Sequence, residues 1–177
     1  EVNLKEFSLT ESQLRKMNKV FLVACGTSWH AALIGKYMIE DMARMPCEVD
    51  IASEFRYRKP IIPEGSLMIV ITQSGETADT LAAQREARRL GAKVMTICNV
   101  VGSTSAREAD GIFYTHSGPE IGVASTKAFT GMIAALYAAS IHIGLVRGVL
   151  PLPEARRRVN DLLSIGQRVE AVLAESE

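Results

Sequence analysis

Three hydroxyl side chains and one amide follow directly after an apolar run that is rich in β-branched residues. The run covers residues 66–71, and the polar side chains after it are Thr72, Gln73, Ser74 and Thr77. A helix-forming segment comes next, so the pattern predicts a buried strand, a tight loop and a helix N-terminus. The first amides of a helix lack partners within the helix and carry the positive end of its dipole. Together with the hydroxyl donors, they make a phosphate group the expected ligand of this stretch.

A second group of small polar residues follows the first apolar run of the chain. Residues 20–24 predict a buried strand, and Gly26, Thr27 and Ser28 come at its end. Further strands are predicted over 48–52, 66–71, 93–98 and 111–115, and the main helices over 10–18, 31–45, 78–90, 125–146 and 154–174. Apolar strands that alternate with helices predict a parallel sheet that is covered on both faces.

The predicted fold is α/β, with three layers and a five-stranded parallel sheet in the flavodoxin-like order 2-1-3-4-5. In that order, strands one and three are neighbours whose connections leave on opposite sides, and a ligand crevice opens at their carboxyl ends. The two polar stretches lie at those two ends. Residues 1–177 are expected to form a single domain, and its last segment, 151–177, to be a C-terminal helix.

The phosphate is expected to be a monophosphate on a small metabolite. The sequence contains no G-x-x-x-x-G-K-[ST] run and no G-x-G-x-x-G after the first strand, which argues against a nucleotide. The alternative is that Thr72, Ser74 and Thr77 only cap a helix and shape a turn. Two polar stretches that meet at one crevice favour binding over this alternative.

The composition narrows the classes of partner. The 20 basic and 20 acidic residues cancel, so the net charge indicates neither a nucleic acid nor an anionic membrane. Three cysteines, Cys25, Cys47 and Cys98, fall in or beside apolar runs and are expected to be reduced core residues of a cytoplasmic protein. The apolar segment 127–147 is long enough for a membrane span, but burial against the sheet is the expected explanation.

Other polar residues give weaker signals. The three histidines, His30, His116 and His142, show no metal-binding spacing, and neither a metal ion nor another cofactor is expected. Glu120 lies in a loop rich in Gly and Pro, where it is either a general base or a solvated residue. Lys127 lies in the first turn of a helix, where the dipole disfavours a cation and an acidic partner or ligand is therefore indicated.

Three blocks of sequence resemble the glutamine–fructose-6-phosphate aminotransferase family. They cover residues 24–28 (ACGTS), 72–80 (TQSGETADT) and 118–129 (GPEIGVASTKAF). Over nearly the whole chain, the resemblance is to the first of two sugar isomerase (SIS) domains in the synthase half. It implies a fructose 6-phosphate site at the crevice, with the phosphate held by Ser28, Thr72, Gln73, Ser74 and Thr77, and the rest of the site formed by Thr27, Val123, Ala124 and Ser125.

The same resemblance implies a cytoplasmic homodimer that makes glucosamine 6-phosphate from fructose 6-phosphate and glutamine. The family's glutaminase domain, and its glutamate base, ring-opening histidine and Schiff-base lysine, have no counterpart in this sequence. We therefore assign no catalytic residue and expect a sugar-phosphate-binding part without synthase activity of its own. Two alternatives stay open, namely a sugar-phosphate-sensing SIS module of a regulator, and a related SIS isomerase or deglycase.

Overall fold

The computed structural model describes residues 9–175 and contains a five-stranded parallel sheet. Its strands are β1 (Lys19–Ala24), β2 (Cys47–Ile51), β3 (Ser66–Thr72), β4 (Lys93–Cys98) and β5 (Gly111–Tyr114). Their order is β2-β1-β3-β4-β5, and every neighbouring pair is parallel. The predicted fold class and strand order are confirmed. The predicted single domain also includes residues 1–8 and 176–177, which lie outside the described residues.

Helices connect the strands and cover both faces of the sheet. They are α1 (Glu11–Lys16), α2 (Gly26–Met42), α3 (Ala52–Phe55), α4 (Ala78–Arg89), α5 (Thr104–Glu108), α6 (Lys127–Val146) and α7 (Leu152–Ala174). The side chains of β1 alternate between the two faces, as a strand requires. Leu22 joins a core cluster with residues of α2 and α6, whereas Val23 joins a second cluster with residues of α3 and α4. The result is a sheet between two layers of helices.

Two helices begin earlier than the sequence indicates. The predicted start of α2 at residue 31 is wrong, because the helix begins at Gly26, whose φ of +57° turns the chain directly out of β1. Thr27 and Ser28 therefore lie in the first turn of a helix. Helix α7 begins at Leu152, and Pro153 fits into its first turn because the backbone N–H groups there have no partner within the helix.

Helix α6 packs closely against α2. Among the described residues it is the one helix long and apolar enough to span a membrane, and 56% of its most apolar window is buried in the structure. Leu136 of α6 lies against Gly35 of α2, where a Cβ atom would come within 2.8 Å of it. Gly144 of α6 lies against the backbone of Met42 at the end of α2. Burial between helix and sheet therefore accounts for the apolar composition of α6.

Gly144→Ala is expected to destabilise the fold by about 2 kcal/mol, because the new methyl group would overlap the carbonyl of Met42 and come within 3.0 Å of Leu150 Cβ. Gly166 lies in α7 with nothing within 4 Å of an added Cβ, so Gly166→Ala is the matched control. It is expected to stabilise the protein by up to about 1 kcal/mol through helix propensity. Urea denaturation measures both effects, and equal effects would contradict the close packing of α2 and α6.

Candidate phosphate-binding site

A cavity of about 220 Å³ opens at the carboxyl ends of β1 and β3. The two strands are hydrogen-bonded neighbours, and Ala24 lies beside Ile71 at their ends. The cavity is lined by Cys25, Gly26, Thr27, Ser28, Ile71, Thr72, Gln73, Ser74, Thr77, Thr80, Gly122, Val123 and Ser125. The fold thus brings eight of the nine predicted site residues together, and only Ala124 lies outside the wall. Their contacts with a ligand stay predictions.

The loop after β3 uses its own hydroxyl groups to hold its shape. The backbone N–H of Gly75 donates to Thr72 Oγ1 at 3.1 Å, and the backbone N–H of Glu76 donates to Ser74 Oγ at 3.2 Å. In both bonds the hydroxyl oxygen is the acceptor. Each side chain therefore keeps its O–H to donate to a ligand, because a hydroxyl is a donor as well as an acceptor. Turn formation and ligand binding are compatible at these two residues.

Gly75 is fixed by close packing as well as by backbone conformation. Its φ is +70°, and an added Cβ would come within 2.5 Å of Ser103 Cβ and 3.0 Å of Cys98 Sγ. Its carbonyl accepts a hydrogen bond from the backbone N–H of Ser105 at 3.0 Å. The segment after β4 therefore supports the loop from behind, on the side away from the cavity lining.

Two helix N-termini reach the cavity without a side-chain cap. Thr77 is the N-cap residue of α4 and Cys25 that of α2, and neither side chain hydrogen-bonds to the amides of its helix. The Thr77 hydroxyl is therefore not used as a cap, contrary to the capping alternative. Uncapped helix N-termini favour an anion through their amides and their dipoles. None of the residues that line this part of the described structure is a lysine or arginine, so neutral donors dominate the site.

Glu120 caps α6, the third helix that begins beside the cavity. Its carboxylate accepts hydrogen bonds from the backbone N–H groups of Gly122 at 3.3 Å, Thr126 at 3.0 Å and Ala128 at 3.1 Å. The bond from Ala128, with smaller contributions from Thr126 and Gly122 and from the charge of Lys127, holds the pKa of Glu120 below its ordinary value. The structure thus assigns the half-exposed Glu120 to capping α6 and gives no support to the general-base role. Glu120 is also an acidic neighbour of Lys127 within the chain.

Glu120→Gln is expected to destabilise the loop before α6 at neutral pH and to have little effect in acid. Because folding lowers the pKa of Glu120, its contribution to stability is fully present above the ordinary pKa of 4.5 and is lost as the pH falls through the lower folded value. The measurement is the difference in unfolding free energy between the two proteins from pH 7 to pH 3. A difference that grows toward acid would contradict this role.

The protein-family model for the SIS domain matches residues 13–142, which is most of the chain. The chain belongs to the SIS domain family. It is 50% identical over 177 residues to a glutamine–fructose-6-phosphate aminotransferase (isomerizing) from Clostridium tetani, covering 100% of this chain and 29% of that protein. The enzyme of the same name from Streptomyces coelicolor is 51% identical over 172 residues, which are 97% of this chain and 28% of that protein.

A solved structure extends the similarity to three dimensions. The C-terminal domain of glucosamine-fructose-6-phosphate aminotransferase from Francisella tularensis matches this SIS domain with a TM-score of 0.85 and 42% identity. The match covers 88% of this chain and 44% of that one. The chain thus spans less than a third of the length of the curated relatives named above. The resemblance inferred from the three sequence blocks is confirmed at the level of the family.

Sequence reasoning missed part of the wall of this SIS domain. Cys25 is only half-buried, because it packs against the second core cluster and also lines the cavity, whereas Cys47 and Cys98 are buried as predicted. Burial raises the pKa of the Cys47 thiol to about 12 and also raises that of Cys98.

Thr80 lines the cavity and was not predicted. It lies three residues after Thr77, on the same side of the start of α4, and this spacing could have identified it as a lining residue. Among the described residues, no group of three His, Cys, Asp or Glu side chains could hold a metal ion.

Proposed function

We propose that this SIS domain is the fructose-6-phosphate-binding part of a glutamine–fructose-6-phosphate aminotransferase. The observation that carries the proposal is the meeting of two uncapped helix N-termini and their hydroxyl side chains at one cavity. The names of the relatives, at about 50% identity over the whole chain, supply the substrate. Because the chain spans 29% of the length of the Clostridium tetani relative, the activity of the whole enzyme is part of the proposal.

The phosphate would be held from two sides. The end of β3 and the loop after it would supply Thr72, Gln73, Ser74 and Thr77, and the first turn of α2 would supply Ser28. Hydroxyl and amide donors of this kind can replace the water around a phosphate without a cationic clamp, because the helix dipoles already favour negative charge. The donors are set in the walls before a ligand arrives, so little conformational entropy is lost on binding.

The sugar would lie toward the third wall of the cavity, which is formed by Gly122, Val123 and Ser125 in the loop before α6. Thr27 and Val123 would approach it, and Ser125 would line the site beside them. Ala124, the ninth predicted site residue, lies outside the wall, and the proposal assigns it no contact with the sugar. In this proposal the domain binds and orients the substrate, and the groups that move protons or transfer nitrogen come from other parts of a longer, homodimeric, cytoplasmic enzyme. The domain needs no cofactor for this task.

The test is isothermal titration calorimetry of the folded domain with fructose 6-phosphate, glucosamine 6-phosphate and free fructose. Both phosphorylated sugars are expected to bind, whereas fructose is expected to bind at least a hundredfold more weakly, because the donors recognise the phosphate. A parallel assay with glutamine is expected to show no glucosamine 6-phosphate. Absence of binding by both phosphates at millimolar concentration would refute the proposal, and isomerase turnover by the chain alone would favour the alternative of a complete isomerase.

A further inference from the structure

The side chain of Asn99, the first residue after β4, holds the base of the loop that forms the third wall. Its Nδ2 donates to the carbonyl of Gly118 at 2.7 Å. Its Oδ1 accepts from the backbone N–H of Ser117 at 2.7 Å and from Thr115 Oγ1 at 3.0 Å. The nitrogen and the oxygen of one amide thus both hydrogen-bond to the four-residue segment 115–118, which follows β5 directly.

The backbone of the same residue contacts the opposite side of the cavity. The N–H of Asn99 donates to the carbonyl of Gln73 at 3.2 Å, and Gln73 belongs to the loop after β3 that lines the cavity. One residue therefore connects the loop proposed to hold the phosphate with the loop proposed to face the sugar. The thiol of Cys98, the preceding residue, also lies 3.6 Å from the carbonyl of Gln73.

The base of the third wall is constrained from the other side as well. Ser117 packs against Gly131 of α6, where even an added Cβ would overlap its hydroxyl. His116 has a φ of +48°, an uncommon conformation for a residue other than glycine, and it persists only where neighbouring contacts hold it. Contacts with Asn99 and Gly131 hold this segment, together with the hydrogen bond from the backbone N–H of Thr115 to the carbonyl of Cys98 at 2.9 Å and the packing of the His116 ring on Tyr114.

Beyond this base the loop passes Glu120, whose carboxylate accepts hydrogen bonds from Gly122 in the tip and from Thr126 and Ala128 at the start of α6. Ile121 is 94% exposed and Val123 is fully exposed, so apolar packing does not fix the tip. Gly122, Val123 and Ser125 nevertheless line the cavity. The position of the tip must therefore come from hydrogen bonds, which are those of the Asn99 amide at the base of the loop and those of the Glu120 carboxylate within the tip and at the start of α6.

We propose that Asn99 is a positioning residue that sets the sugar-side wall at a fixed distance from the phosphate-binding loop. This inference rests on the proposed function, because it assigns the sugar to the wall that contains Val123. Asn99 lies outside the cavity lining and is not expected to touch the ligand. Its loss is expected to weaken recognition of the sugar, while the phosphate donors, which lie in the first turn of α2, at the end of β3 and in the loop after β3, stay in place.

The experiment compares the affinities of Asn99→Ala and the unmodified chain for fructose 6-phosphate and for inorganic phosphate. Asn99→Ala is expected to bind fructose 6-phosphate about tenfold more weakly and inorganic phosphate within twofold of the unmodified chain. Asn99→Asp keeps the acceptor oxygen but loses the donation to Gly118, so its affinity for fructose 6-phosphate should lie between those of Asn99→Ala and the unmodified chain. A variant that only damaged the fold would weaken both ligands together.

Asn18→Ala is the matched control, because Asn18 Nδ2 also donates to a backbone carbonyl distant in sequence, that of Glu64, at 2.8 Å. Asn18 precedes β1 and so lies at the amino ends of the strands, opposite the cavity. The loss of its side chain should leave both affinities unchanged. Amide hydrogen exchange at residues 121–125 adds a measurement without ligand, and only Asn99→Ala should accelerate it.

Unchanged exchange in Asn99→Ala, or equal losses for the two ligands, would overturn the inference even if the unmodified chain binds fructose 6-phosphate. If exchange accelerates but the unmodified chain binds neither ligand, the proposed function fails, and the assignment of the loop to a sugar fails with it. The positioning of the loop by Asn99 would then stand as a structural fact without that role.

Discussion

The double variant Ser74→Ala/Thr77→Ala is expected to bind fructose 6-phosphate about a hundredfold more weakly than the unmodified chain, because each hydroxyl would donate a hydrogen bond to a charged phosphate. The free energy of unfolding is expected to fall by less than about 1 kcal/mol. Thr77 does not cap α4, and Ser74 accepts one hydrogen bond from Glu76 in an exposed part of the loop, where water can replace it. Calorimetric titration and urea denaturation of the same samples measure the two effects.

Thr10→Ala is the control for this pair, because Thr10 does cap its helix. Its Oγ1 accepts from the backbone N–H of Gln13 at 3.2 Å, and the Gln13 side chain accepts from the backbone N–H of Thr10 at 2.8 Å. Its removal should cost about 1 kcal/mol of stability and leave affinity unchanged. The reverse pattern, with the double variant strongly destabilised and still able to bind, would show that the hydroxyls near the cavity are structural.

The sheet and the position of the cavity were predictable from the sequence because both follow from apolar patterning. Three of the strands, β1, β3 and β4, are buried along most of their length, so their sequences are nearly continuous apolar runs, whereas β2 and β5 are mostly half-buried and gave weaker signals. Once parallel strands and helices alternate, the handedness of the connections restricts the strand order to a few arrangements. The meeting of Thr27 and Ser28 with Thr72 and Ser74 is a consequence of that order.

The contacts that fix the third wall were not predictable in the same way. Asn99 hydrogen-bonds to residues 16 to 19 positions later, and Glu120 to residues up to eight positions later, across segments of irregular backbone. Neither helical nor strand periodicity describes such pairs, so an isolated Asn or Glu in a polar loop gives no signal. The same limit explains Gly26, because a positive φ that starts a helix directly after a strand is a property of the backbone.

Gly75→Ala is expected to destabilise the fold by about 3 kcal/mol, with the cost divided between backbone strain at φ +70° and overlap of the new methyl group with Ser103 and Cys98. Both neighbours are buried behind the loop, so they cannot move away without opening the core. The loop should shift toward the cavity instead, which would displace Ser74 and also weaken binding of fructose 6-phosphate. Denaturation and calorimetry of the same variant measure the two consequences.

Gly91→Ala separates the two causes. Gly91 has a φ of +93°, but nothing lies within 4 Å of an added Cβ, so its substitution carries the backbone cost alone, about 1 kcal/mol, and should not change affinity. The difference between the two variants then measures the packing of Gly75 against the segment after β4. If the two variants lose equal stability, that packing contributes nothing, and the shape of the phosphate loop depends on its own hydroxyl-to-amide hydrogen bonds at Thr72 and Ser74.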